Sequence, residues 1–171
     1  LFLNWYRRNV KQHKRPGYAI ATIALKETGT APGDVTDVQL EHIADLSDEY
    51  SFGEARVSHR QNVVLADVAQ EELYALWQQL RNQSLASENL ELLTDMICCP
   101  GGDFCALANA KSIPIAESIQ REFSNHDQLL DIGEITLNIS GCMNACGHHH
   151  VGNIGILGVD KKGEEFYQIS L

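Results

Sequence analysis

Positive charge is scarce in this sequence. Thirteen Lys and Arg stand against 23 Asp and Glu, giving a net charge of -10 and a pI near 5.0. Affinity for nucleic acid comes chiefly from phosphate neutralisation, so no nucleic-acid partner is expected. Long apolar runs are also lacking. The longest, residues 18–25, holds eight residues and includes Thr22, whereas a membrane span needs about 20. Residues 1–10 reach Arg7 and Arg8 too early to hold the apolar core of a secretory signal. No membrane partner is expected. Cysteine is limited to five residues, an odd number. Without a secretory signal, that number favours a cytoplasmic setting with reduced thiols.

What is present is ordinary globular material. The 171 residues are 44% hydrophobic and 21% charged, enough for one large domain or two small ones. A chain of this length can bury about 70% of its unfolded surface. Five of the 13 cations, Arg7, Arg8, Lys11, Lys14 and Arg15, lie in the first 15 residues. The chain opens on Leu1 and stops at Leu171, directly after a predicted strand at 166–170. A piece of a larger polypeptide, truncated at its C-terminus, is therefore expected.

Residues 1–16 read as a basic lead-in or linker ended by Pro16-Gly17. Residues 18–25 read as a strand and 26–34 as a loop with two Gly and one Pro. Thr36 and Gln39 make a capping-box pattern ahead of a helix over 37–50. Its predicted inner face carries Leu40, Ile43, Ala44 and Ser47. Short strands follow at 56–58 and 62–67. Asp67 with Gln70 is then expected to cap a helix presenting Leu73, Leu76, Trp77 and Leu80. The order βαββα over 17–85 implies an α+β unit with its helices on one face.

A polar stretch at 84–89 marks the boundary to a second domain, 86–171, of α/β type. Residues 93–99 read as a buried strand running into Cys99-Pro100-Gly101-Gly102, after which Pro100 starts a short helix. Pro114 opens another helix, with Ile115, Ile119 and Phe123 inward. Strands at 135–139 and 154–159 flank a Gly- and Cys-containing loop.

Four cysteines form two pairs, Cys99-x5-Cys105 and Cys142-x3-Cys146, each set among glycines. Glycine lets the backbone approach a bulky inorganic group and leaves N–H groups free to donate to sulfur. A helix start at Pro100 would add its positive end beside Cys99. Four thiolates suit a [4Fe–4S] cluster. Zinc also accepts four thiolates, although its structural sites favour shorter spacing within each pair. Buried free cysteines or a disulfide are the remaining readings. Cys98 lies next to Cys99 on a predicted strand, faces the other way, and reads as core.

On these residues the sequence resembles the sirohaem- and [4Fe–4S]-containing sulfite and nitrite reductases. The match lies in Cys99-Pro100-Gly101 to Cys105 and in Gly141-Cys142-Met143-Asn144-Ala145-Cys146-Gly147. Upstream, Trp5, Asn9-Val10, Gly17-Tyr18, Gly33-Asp34-Val35-Thr36 and the stretch Arg56 to Asn62 resemble the second pseudo-repeat of these enzymes. The resemblance implies a ferredoxin-like half-domain over 17–85 followed by a cluster- and sirohaem-binding domain over 86–171. It makes Cys99, Cys105, Cys142 and Cys146 cluster ligands, with Cys146 also bridging to the sirohaem iron. It places Asn144 against the macrocycle, and Arg56, Arg60, Gln61 and Asn62 near sirohaem carboxylates. Ser58 stands where the family usually has Thr. His148-His149-His150 departs from the pattern, in which Arg often follows the last cysteine. One of these histidines could donate to a sirohaem carboxylate, or all could belong to a solvated turn. Lys111 reads as a cluster-neutralising cation or as a surface lysine.

The implied activity is six-electron reduction of sulfite to sulfide or of nitrite to ammonia. Its partners would be a small oxyanion, an electron donor (ferredoxin or a flavoprotein reductase) and a missing N-terminal half of the same chain. Burying an anionic cluster, a polycarboxylate pigment and an anionic substrate requires cations, and this acidic sequence has few near its motifs. An isolated piece is therefore expected to be inactive. The basic lead-in could instead dock an acidic donor. Two other function classes remain open: a [4Fe–4S] electron-transfer module without sirohaem, and a zinc-stabilised binding domain.

Overall fold

The computed structural model describes all residues, 1–171. They form two compact units, one of residues 1–27 and 33–90, the other of residues 28–32 and 91–171. No helix is long and apolar enough to cross a membrane.

The first unit runs α1 (Phe2–Asn9), β1 (Val10–Gln12), β2 (Tyr18–Ile23), α2 (Asp37–Tyr50), β3 (Ala55–Val57), β4 (Val63–Ala69) and α3 (Leu73–Asn82). Its sheet has the order β1-β2-β4-β3, with every pair antiparallel. Alternation along β2 turns Ala19, Ala21 and Ile23 inward, as expected for a strand with one buried face. They pack with Leu46, Leu65, Val68, Leu76 and Leu80. The capping box is present: Thr36 Oγ accepts the Gln39 N–H at 3.1 Å, and Gln39 Oε1 accepts the Thr36 N–H at 3.0 Å.

Three expectations for this unit change. Residues 1–16 are not a free linker, because α1 and β1 occupy most of them and Trp5 is fully buried. Asn9 anchors the segment by donating to the carbonyls of Thr22 and Ser87. The inner face of α2 is Ile43, Leu46, Ser47 and Tyr50, while Leu40 and Ala44 are exposed. Both stripes obey helical spacing, and packing chooses the one ending on Tyr50. Asp67 caps no helix. Pairing with β2 extends β4 to Ala69, and a 3-10 turn (Gln70–Glu72) precedes α3. Asp67 instead meets His13 Nε2 at 3.2 Å.

The second unit runs β5 (Ile97–Cys98), α4 (Ile113–Glu122), α5 (His126–Ile132), β6 (Leu137–Ser140), β7 (Ile154–Lys161) and β8 (Glu164–Ser170). Its sheet has the order β5-β6-β7-β8. The first three strands are parallel and β8 is antiparallel. All four residues of β6 are buried, as a central strand in a parallel arrangement requires. The core gathers Leu92, Met96, Cys98, Ala116, Leu129, Ile139 and Ile156.

The strand expected at 93–99 shrinks to two residues. The helix expected after Pro100 is absent. Gly101 adopts φ +58°, its carbonyl accepts the Cys105 N–H, and Gly102 N–H donates to Ala110 O. These turn bonds fold the segment back on residues 110–111 and leave no helical ladder, so there is no helix dipole beside Cys99. Helix α5 was not foreseen; Asn125 Oδ1 caps it by accepting from the Asp127 and Gln128 N–H groups.

Candidate functional site

Parallel pairing of β5 with β6 aligns Cys98 with Ile139. Both strands therefore release their following loops at the same, C-terminal, edge of the sheet. In parallel sheets this edge is where ligands bind. The loop after β5 carries Cys99 and Cys105. The loop after β6 carries Cys142 and Cys146 before the chain returns as β7.

Gly141 joins the two loops. Its N–H donates to Cys99 Sγ at 3.1 Å, and its carbonyl accepts from the Asn109 and Ala110 N–H groups at 2.8 and 3.0 Å. A Cβ built on Gly141 would lie 2.7 Å from Gly101 Cα and 2.7 Å from Ala110 O. Only a residue without a side chain permits this approach. Cys99 and Cys142 are buried, Cys105 is half-buried and Cys146 is exposed. Cys98 belongs to the core, as expected.

The thiols do not form a finished ligand set. No group of three or more His, Cys, Asp or Glu side chains stands close enough together to hold a metal ion. The backbones of the two loops meet, while Cys105 is half-buried and Cys146 exposed. The donor chemistry fits a thiolate-bound group: soft sulfur ligands, a buried Cys99 already supplied with an N–H donor, and glycines where the loops touch.

Other expected residues are more dispersed. Asn144 is exposed in the tight turn between the last two cysteines. His148, with φ +52°, has its carbonyl held by Asn138 Nδ2 at 3.0 Å. The His149 and His150 rings stand edge to face. Burial, then the neighbouring His150, push the His149 imidazole below its ordinary value. Lys111 pairs on the surface with Asp103 at 3.4 Å. Exposed apolar side chains crown both loops: Phe104, Leu107 and Met143.

In the first unit, Arg56 lies exposed on β3 and bonds Glu54. That hydrogen bond, reinforced by the guanidinium charge, lowers the Glu54 carboxyl below its usual range. Asn62 is buried and has a structural use, since its Oδ1 accepts the Leu25 N–H at 3.0 Å. Gln61 takes φ +57° in the turn that also bears Arg60. Sequence reasoning missed Lys26, which it placed in a loop. Lys26 is 1% exposed, and its Nζ donates to the carbonyls of Arg60 and Gln61 at 2.9 Å each. It also missed Ser112, which is fully buried beside Cys99.

Residues 12–83 match the family of the nitrite/sulfite reductase ferredoxin-like half domain. The chain is 30% identical to the chloroplastic ferredoxin–nitrite reductase of Zea mays over 132 residues, 74% of this chain and 22% of that one. This chain is homologous to the nitrite and sulfite reductases. Against the Arabidopsis thaliana ferredoxin–nitrite reductase it is 29% identical over 171 residues, 94% of this chain and 27% of that one. Against the sulfite reductase [ferredoxin] 2 of Mycolicibacterium paratuberculosis the identity is 29%, over 78% of this chain and 25% of that one. The chain thus spans about a quarter of the length of these relatives. The two-sheet α/β fold is shared with Mycobacterium tuberculosis NirA, at a TM-score of 0.69 and 24% identity, over 96% of this chain and 30% of that one. A dissimilatory sulfite reductase shares it at a TM-score of 0.64 and 16% identity, over 85% of this chain and 34% of that one. The family relation makes this a relative of known oxidoreductases.

Proposed function

We propose that this chain is the part of a sulfite or nitrite reductase that carries a [4Fe–4S] cluster and sirohaem. The observation that carries the reading is Gly141, which hydrogen-bonds Cys99 Sγ and both backbone donors at 109–110, closing two cysteine loops 42 residues apart upon each other. In this reading Cys99, Cys105, Cys142 and Cys146 are the cluster ligands. Cys146, the most exposed of them, is the one shared with sirohaem. Asn144 faces the pigment, and Arg56, Arg60, Gln61 and Asn62 serve its carboxylates. When bound, these cofactors supply the six-electron reduction of sulfite or nitrite.

The chain's own residues have narrower tasks. Cys99 and Cys142 offer sulfurs from buried positions. The Gly141 N–H offsets charge on Cys99. Lys26 holds the turn bearing Arg60 and Gln61. With a net charge of -10, the chain has few cations near its cysteine motifs, so we assign the main oxyanion-gripping cations to the N-terminal half of the full-length polypeptide. Ferredoxin is the proposed electron donor, with a flavoprotein reductase as the alternative, since the nitrite reductases of Zea mays and Arabidopsis thaliana and the Mycolicibacterium sulfite reductase carry ferredoxin in their names.

Iron, acid-labile sulfide and extracted pigment should be measured on the full-length protein and on single Cys→Ser variants. The expected result in the parent is five irons (four of the cluster and one of sirohaem) and four acid-labile sulfides per chain, with near-complete loss of sulfide in Cys99→Ser and Cys142→Ser and retention in Cys98→Ser. Stoichiometric zinc without sulfide would overturn the proposal. A cluster without extractable sirohaem would reduce it to an electron-transfer module.

A further inference from the structure

Ser112 stands at the N-cap of α4, a position where serine ordinarily accepts a hydrogen bond from the helix's first free N–H groups. Here its side chain makes no such bond. Its hydroxyl lies instead 3.7 Å from Cys99 Sγ, in a site with no solvent exposure. The space around it is set by glycines from both cysteine loops. A Cβ on Gly101 would come within 2.5 Å of the hydroxyl oxygen, and one on Gly141 within 3.0 Å. Cys99 Sγ thus accepts the Gly141 N–H and shares a second hydrogen bond with the Ser112 hydroxyl.

We propose that Ser112 is a positioning residue that orients Cys99 and raises the reduction potential of the group bound there. The inference rests on the cluster reading above. In the free thiol, either Cys99 or Ser112 can be the donor of their shared hydrogen bond. A ligated cysteine has lost its proton, so Ser112 alone can donate, and the bond becomes charge-assisted. Adding an electron to the bound group increases negative charge on its thiolates. A fixed donor therefore favours the reduced form, and hydrogen bonds to cluster sulfurs are an established control of potential. Burial strengthens the effect, because no water competes for the sulfur.

The test is an EPR-monitored redox titration of the full-length, cofactor-loaded protein with Ser112→Ala and Ser112→Thr. Iron and sulfide contents should match the parent in both. In Ser112→Ala, the reduced-to-oxidised ratio at fixed potential should fall about tenfold, which is about 59 mV for one electron. Ser112→Thr, which keeps the hydroxyl, should restore the parent value. The iron–thiolate stretches in resonance Raman spectra should shift less on H-to-D exchange in Ser112→Ala than in the parent. If Ser112→Ala fails to load, Ser112→Cys, a weaker donor of similar size, must show the same downward shift. A loaded Ser112→Ala with unchanged potential and unchanged isotope shift would overturn the role of Ser112 and leave the cluster assignment standing. Absence of iron from the parent would instead overturn the assignment itself.

Discussion

Replacing Gly147 by Ala tests how tightly the second cysteine loop is built onto its sheet. Gly147 follows Cys146, and its N–H donates to Ser140 Oγ at 3.1 Å, at the end of β6. A Cβ added there would run into the Ile139 carbonyl, 2.7 Å from its carbon, where ordinary contact begins near 3.4 Å. The obstacle is backbone of the central strand, held on both sides by parallel partners. It cannot swing aside as a side-chain tip can, so the loop itself must retreat and lose its bond to Ser140. Overpacking of a tight site costs about 1–3 kcal/mol, and the lost hydrogen bond adds about 1 kcal/mol. We expect a destabilisation of about 2–4 kcal/mol. With a urea m-value of about 2 kcal/mol/M, the midpoint should fall by roughly 1–2 M. Gly102→Ala is the matched control in the first cysteine loop. Its added Cβ would meet nothing nearer than 3.4 Å, and its φ is not positive, so its midpoint should move by less than about 0.5 kcal/mol in equivalent stability. Urea titration of the chain followed by circular dichroism checks both. A Gly147→Ala variant as stable as Gly102→Ala would refute the reasoning.

Trp5→Ala should cost about 3–5 kcal/mol, the range for removing a buried aromatic, because Trp5 is fully buried. A loss below about 1 kcal/mol in the same titration would return residues 1–16 to the status of a linker. Lys26→Met removes the ammonium that bonds two carbonyls and should cost about 2–3 kcal/mol. Amide exchange in the 58–62 turn, read by mass spectrometry, should speed up in parallel; protection equal to the parent would mean that Lys26 does not hold the turn. His149 is depressed in the folded state by burial, then by His150, so the unfolded chain takes up its proton first as pH falls. Its contribution therefore makes stability rise with pH between the depressed folded value and about 6.5, with no effect above. An NMR titration of the His149 ring should give a midpoint below 6.5, and a midpoint at or above it would contradict the burial.

Local patterns carried much of the fold. The Thr36 capping box, the strand alternation at Ala19, Ala21 and Ile23, and Pro114 in the first turn of α4 are legible because each depends on residues a few positions apart. The errors arose where distant partners decide. Asp67 looks like a helix cap in isolation, yet pairing with β2 keeps it in a strand. Pro100 looks like a helix start, yet Gly101 turns the chain toward residues 110–111.

By itself, the sequence determined the Thr36 capping box, the alternation of β2, the spacing of the two cysteine pairs and the acidic balance, since all are properties of neighbouring residues or of composition. Tertiary structure alone decided that α1 enters a core, that Lys26 binds a turn more than 30 residues away, and that Ser112 leaves its helix cap for Cys99. The last of these outcomes depends on β5 and β6 pairing in parallel and bringing their loops to one edge of the sheet. No short stretch of sequence contains that pairing, because the hydrogen bonds and close glycine contacts that hold it join residues about 40 positions apart.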